Sequence, residues 1–557
     1  MDIPDQSNSP PEDLLRIRNI HPSQVGYGAT HSNSQHQDDY ELGLSTSHDS
    51  LSSRIGSFVT SYSTTSMNFV AENLSVPNSQ QLDHFMSTST GYRRLSQNSL
   101  LSRYDTNKTG YYSYADSIRP SIHFSEIDKV LSHHSTIADV QSLMDGKLQP
   151  ELSSTGAPTN IVMHKKSSFS QSIFNSINIL MGIGIISLPI GFKYAGWGFG
   201  ILVFIFCCML TNHTAKLLAK CLDTNPDSRT YGDLGDIAFG LRGRVGVTLL
   251  FITELIASGT ALVILLVDGI NALFPGHNSW LLAYIILTPM QFLPVRHLSY
   301  ASLLGIISAF SILGVLVIDG LSKPDAPGSL ITPADTSLWP TQWHTLPLSF
   351  GIIMSAFAGH AVFPTVYRDM DQPKQYSKMV NFTYFVTSIV YFGVAACGYT
   401  MFGSATLEEI TKNLMMVEGY NPIINHAAVW LISMNPICKY GLTMNPLNLT
   451  WQLWFFRKPT IQSWCEQHEW LESIVTVIGK LLISAFIIYI AYMIPGFDKI
   501  MSLLGAFFSF IISGIFPIIC YFKLFGHTLS KKAFLLNALL LFISISMAIS
   551  GTLVTFI

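Results

Sequence analysis

Charge is what this chain has least of. Only 12% of its 557 residues are Asp, Glu, Lys or Arg, against about 25% in an ordinary soluble domain. With 48% hydrophobic residues, that shortage excludes a soluble globule and places the chain among multi-pass membrane proteins. Cysteine is scarce too: Cys207, Cys208, Cys221, Cys397, Cys438 and Cys520 lie inside apolar stretches and Cys465 in a connection, which suggests no disulfide framework. There is no CxxC, no HExxH and no glycine loop ending in Lys-Ser or Lys-Thr, which argues against ATP-driven transport and leaves no cofactor or metal to expect. No paired nucleophile and base stands out, which argues against an enzyme. The net charge of −3 says nothing useful about partners, and no nucleic acid is expected.

Residues 1–166 lack sustained apolar periodicity and are rich in Ser, Asn, Asp, Gln and His. Such a segment cannot bury enough apolar surface to offset its ordering entropy, so a disordered cytosolic tail is predicted. No apolar run follows Met1, which excludes a cleaved signal peptide. Arg93-Arg94-Leu95-Ser96 puts Ser96 in a basic context that a regulatory kinase could read.

From residue 167 onward the chain is a membrane domain with about eleven apolar spans. They run near 171–192, 198–222, 245–274, 279–294, 298–319, 346–367, 379–402, 424–455, 473–494, 498–525 and 533–557. With the N-terminus cytosolic, inside connections and the span ends beside them collect Lys216, Lys220, Arg229, Arg242, Arg244, Arg296, Arg368, Lys374, Lys378, Arg457, Lys458, Lys523, Lys531 and Lys532, while outside ones hold only Lys193, Lys323, Lys412 and Lys499. That asymmetry fits the positive-inside rule and leaves the C-terminus on the far side. Asp223 to Arg244 could carry a short helix around Tyr231. Glu408, Glu409 and Glu418 read as a solvated acidic face.

Two of the spans are built to break. Residues 171–192, QSIFNSINILMGIGIISLPIGF, are long enough to cross a bilayer, about 33 Å at 1.5 Å per residue. Yet Gly182 and Gly184 stand mid-span and Pro189 follows. Each Gly costs roughly 1 kcal/mol relative to Ala in a helix interior, and Pro removes a bond that lipid cannot replace. Residues 346–367, LPLSFGIIMSAFAGHAVFPTVY, repeat the design, with Gly359 falling on Gly184 and Pro364 on Pro189. Four spans intervene, so the two cross in opposite directions. An inverted repeat of discontinuous helices points to a transport site at mid-membrane.

Charge inside hydrocarbon costs about 2.5 to 3.5 kcal/mol on insertion scales and needs a partner or a role. Glu254 and Asp268 share the third span but are about 21 Å apart along it, so they form no common site. Lys439, within PICKYGLTMNP and flanked by Pro436 and Pro446, is a candidate proton carrier, because burial brings a lysine within reach of cellular pH. It could equally hold unwound carbonyls permanently. His360 and Glu254 are further candidates. Lys480, near the start of its span, is expected to snorkel.

At Asn178-Ile179-Leu180-Met181-Gly182-Ile183-Gly184-Ile185-Ile186-Ser187-Leu188-Pro189, Tyr194-Ala195-Gly196-Trp197 and Gly359-His360-Ala361-Val362-Phe363-Pro364, the chain resembles the amino acid/auxin permease family. Within it, the chain is similar to fungal vacuolar amino acid transporters and the vesicular inhibitory amino acid transporter. The resemblance covers about residues 168–557. It implies an all-α five-plus-five inverted repeat, about 171–319 and 346–525, with helices 1 and 6 discontinuous and an extra helix near 533–557. It also implies export of amino acids from cytosol into the acidic vacuole in exchange for protons, hence dependence on a proton pump. Carried over by position, Gly182, Ile183, Gly184 and Ile185 would receive the substrate carboxylate. Phe357, Ala358, Gly359 and His360 would face the α-amino group and side chain. Asn178 matches an asparagine near the ion site of sodium-coupled relatives, but Ile183 stands where those often have Ser, which weakens sodium dependence. Small residues at Ala356, Ala358 and Gly359 suggest large neutral amino acids as substrates. Proton-coupled uptake at the plasma membrane and a non-transporting amino acid receptor are the alternatives.

Overall fold

A computed structural model describes residues 166–557 apart from 227, 294, 457–460, 462–468 and 495. The N-terminal tail and Ser96 lie outside the described residues. Every named element is helical, with one isolated bridge between Ser167 and Met370. The chain enters at α1 (Phe169–Leu180), which starts where Ser168 and Gln171 cap each other reciprocally. A tight turn at Ile183–Ser187 leads into α2 (Leu188–Leu222), with Pro189 in its first turn, where a missing N–H costs nothing. Gly196, at φ 67°, bends α2 sharply. A side chain there would meet the Trp339 backbone at 2.7 Å. Residues before the bend therefore finish the first crossing and those after it make the second.

Next come α3 (Tyr231–Phe239), capped by Thr230, then α4 (Leu241–Leu273), α5 (Ser279–Met290) and α6 (Val295–Ser322). The second half repeats the plan. It runs α7 (Leu346–Ala356), α8 (Phe363–Asp369) with Pro364 in its first turn, α9 (Tyr376–Phe402), α10 (Ile410–Met416), α11 (Pro422–Phe456) and α12 (Glu469–Met493). Then α13 (Phe497–Leu503) passes through a wider π-helical stretch, Leu504–Ile515, into α14 (Phe516–Phe525), and α15 (Lys531–Thr555) closes the chain. Among the described residues, seven helical stretches are long and apolar enough to cross a membrane unaided. The two interrupted crossings, the short α5 and the polar α11 complete the expected eleven.

Packing follows membrane rules. Leu202, Met209, Leu249, Phe385, Leu535 and Phe542 are each more than half exposed, an outward apolar surface that suits lipid and not water. Inside, small residues let backbones touch: a side chain on Gly351 would lie 2.1 Å from the Ser502 carbonyl oxygen, where α7 crosses α13. Two expectations change. Lys480 does not snorkel; it donates to the Gln291 carbonyl at 3.1 Å, filling the end that α5 leaves open by stopping early. The acidic connection is not uniformly solvated either, because Glu409 is buried.

Candidate functional site

The first break is asymmetric in its hydrogen bonding. α1 ends because Met181 leaves helical geometry (φ −69°, ψ 75°) and Gly182 is extended (φ −97°, ψ −163°). No side chain caps the turn that resumes at Ile183, and the first N–H groups of a helix have no internal acceptor. The Ile183 and Gly184 donors therefore face away from any helical partner. The carbonyls across the break are taken: Leu180 accepts from the Tyr391 hydroxyl and Met181 from Lys439 Nζ at 3.1 Å. Bare donors at a positive helix end are suited to an anion such as a carboxylate.

Ile183 borders a small cavity. It is lined by Gly182, Ile183, Ile185 and Ile186 of the break, Leu265 of α4, Ser308, Ala309 and Ile312 of α6, and Ile432 and Asn435 of α11. At about 10 Å³ it holds roughly one water molecule, so this conformation is closed around the break. Asn435 donates to Ser308 Oγ at 3.2 Å while its Oδ1, buried on the cavity wall, has no hydrogen-bond partner among the described residues. Lys439 and Asn435 both lie against Gly305.

The two breaks touch through their glycines. A side chain on Gly184 would come 2.9 Å from the Ala356 Cα, and one on Gly359 would come 3.0 Å from Ile179 and Leu180 side chains. The space expected beside Gly359 is thus filled by α1, and that beside Ala356 by the turn that follows it. Phe357 packs inward, its ring stacked on Tyr384 and edge-on to Tyr391. The Phe357 and Ala358 carbonyls accept no hydrogen bond from the described residues. His360 is enclosed, with Nε2 3.0 Å from both the Thr214 hydroxyl and the Thr211 carbonyl. Asn178 is buried within α1. Glu254 sits apart from the break, as an electrostatic neighbour of Tyr231 in α3.

Polar latches close both ends. On the side where the chain enters, Arg368 donates to the carbonyls of Ser228, Leu222 and Asn225, Tyr367 donates to Asp223 at 2.7 Å, and Ser167 pairs with the backbone of Asp369 and Asp371. On the opposite side, Tyr194 donates to Asp498 at 2.7 Å, Lys193 to the Thr406 carbonyl at 2.8 Å, and the Phe497 N–H to Glu408 at 2.9 Å. Sequence reasoning missed Tyr391, Ser308 and Asn435. An asparagine inside an apolar span was a readable signal, whereas a tyrosine there looks like core.

Comparison with known proteins adds to this geometry. Residues 165–557 match the family described as transmembrane amino acid transporter protein. Amino acid transporter AVT1C of Arabidopsis thaliana is 30% identical over 421 residues, covering 73% of this chain and 72% of that protein. Amino acid transporter AVT1E of the same plant is 27% identical over 494 residues, covering 86% and 90%. Among solved structures, MhsT in complex with L-phenylalanine aligns at a TM-score of 0.42 and 11% identity over 69% of this chain and 98% of that one. The chain belongs to the family of transmembrane amino acid transporters, the amino acid/auxin permeases, and is a multi-pass membrane carrier of amino acids.

Proposed function

We propose that the protein is a proton/amino acid antiporter that moves neutral amino acids from the cytosol into the vacuole. The observation that carries this is the break at Gly182 to Ile185, with bare donors on one side and satisfied carbonyls on the other. The substrate carboxylate docks on the Ile183 and Gly184 N–H groups. The α-ammonium is met by Asn435 Oδ1 and by the Phe357 and Ala358 carbonyls when the breaks separate. Lys439 supports protons over sodium, because its ammonium already occupies the Met181 carbonyl that a metal cation would need. It also stands at the break, where a change in its charge acts directly on the substrate, whereas His360 is enclosed behind the break and Glu254 is remote. The excess of Lys and Arg in one set of connections supports a cytosolic N-terminus, and likeness to the vacuolar transporters supports the location.

Protons supply the drive: each pH unit is worth about 1.4 kcal/mol per proton, a tenfold concentration ratio, and a proton pump maintains it. The test is uptake of a labelled amino acid panel into sealed vesicles holding the full chain at two luminal pH values. Accumulation that requires the acid lumen is expected. Flux indifferent to luminal pH would overturn the antiport.

A further inference from the structure

The acidic connection between α9 and α11 holds a buried group that the site above does not use. Glu409 is 1% exposed, and its Oε1 has no hydrogen-bond partner among the described residues. It lines a second cavity together with Asp268, Gly269, Lys412 and Ser433. Leu265 and Ile432 form walls of both this cavity and the one at the break, so the carboxyl stands one layer of side chains from the bare donors.

The charges around Glu409 do not balance. From α4 comes Asp268; from α10 come Lys412 and the Thr411 hydroxyl, which donates to Glu409 Oε2 at 3.4 Å; from the connection comes Glu408. The α11 wall offers Ser433 and no charge. Beyond Glu408 stand Asp498, Tyr194 and Lys193. Lys412 Nζ lies 2.9 Å from Asp268 Oδ2 and 3.6 Å from Glu408 Oε2, while Glu408 also accepts the Phe497 N–H. One ammonium therefore serves three carboxylates. Glu409 and Asp268 line the same cavity, and the Asp268 charge bears on the Glu409 carboxyl. Two ionised carboxylates only accept, so they can bond each other only when one holds a proton. Burial first, then the Asp268 charge, hold the Glu409 carboxyl well above its usual range, with Lys412 pulling the other way.

We propose that Glu409, set beside the Asp268 carboxylate in this cavity, carries one exchangeable proton, and that the two residues form a proton-binding site on the side opposite Ser167. This deepens the antiport reading and rests on it. The proton enters from the acidic compartment and binds Glu409 beside Asp268. When it leaves, two facing anions remain against a single ammonium, so α4 and the connection part and carry Leu265 away from Ile432.

The test uses the full chain in sealed vesicles with a mixture of radiolabelled amino acids. A gradient of one pH unit gives wild type about tenfold accumulation per proton. Glu409→Gln and Asp268→Asn, which imitate the protonated pair, are expected to lose that accumulation yet still exchange labelled for unlabelled amino acids without a gradient. Exposed Glu418→Gln behaves as wild type. Wild-type-like accumulation in both variants would overturn the site while the antiport stands. Loss of exchange in both would also overturn it, since the pair would then be part of the substrate site. Exchange without accumulation in wild type would overturn the antiport itself. Replacing sodium by choline should change nothing; sodium-dependent accumulation would mean that the pair binds that metal instead.

Discussion

At Gly184 a hydrogen stands where any other residue would push a methyl group to 2.9 Å from the Ala356 Cα. Backbone cannot step aside as a side chain can, so Gly184→Ala should cost about 1 to 3 kcal/mol as overpacking. A lower melting temperature in detergent and lost amino acid exchange would show it. Gly182→Ala is the contrast: its nearest neighbour would lie 3.7 Å away, an ordinary contact, and the melting temperature should hold. Lys439→Ala strands the Met181 carbonyl, a loss of about 1 to 3 kcal/mol, and should abolish pH-gradient-driven uptake; uptake still fully gradient-dependent would remove Lys439 from the mechanism. These positions were legible because a backbone need writes itself as Gly or Pro. Tyr391 was not, since its partner Leu180 lies 211 positions away and a phenol in a span has the pattern of core. Glu409 was misread for a similar reason: two adjacent glutamates look alike until Asp268 arrives from another helix.

Among elements, the paired interruptions do the same job by the same means. Each gives up a few backbone bonds at mid-crossing, and each resumes with a proline in its first turn, where the lost donor was an orphan already. Both crossings were legible in the sequence, as were the other spans, because hydropathy reports burial in lipid directly. Less legible were the ends and the continuity of helices. α5 stops at Met290 where Lys480 can satisfy its terminus, and α11 runs through Pro436 and Pro446 without a break, since neighbours inside a bundle can re-satisfy freed groups. The latches at the two ends predict separate effects on access from each face. With Gly182→Cys as a reporter, Arg368→Ala should speed labelling by an impermeant maleimide from the Arg368 face, and Tyr194→Phe from the other. Equal acceleration from both faces in either variant would show that the latches do not act separately.

At the scale of the molecule, an apolar exterior surrounds a largely apolar core with a few buried polar groups, and stability in detergent should carry the mark of the buried Glu409 carboxyl. The native state holds the Glu409 proton above the 4.5 typical of a free glutamate, so the stability it contributes is full below that value and is lost as pH rises through the native one. The melting temperature should therefore fall from acid toward neutral pH, and Glu409→Gln should flatten the fall; a wild-type profile already flat would contradict the burial argument. The joint at Ser167 has its own consequence. That residue follows the 166-residue tail directly, and its backbone is knitted to Asp369 and Asp371 at the end of α8. Bulk fused ahead of Ser167 is therefore expected to load that seam and slow amino acid exchange; exchange at the wild-type rate would show that the seam bears no load.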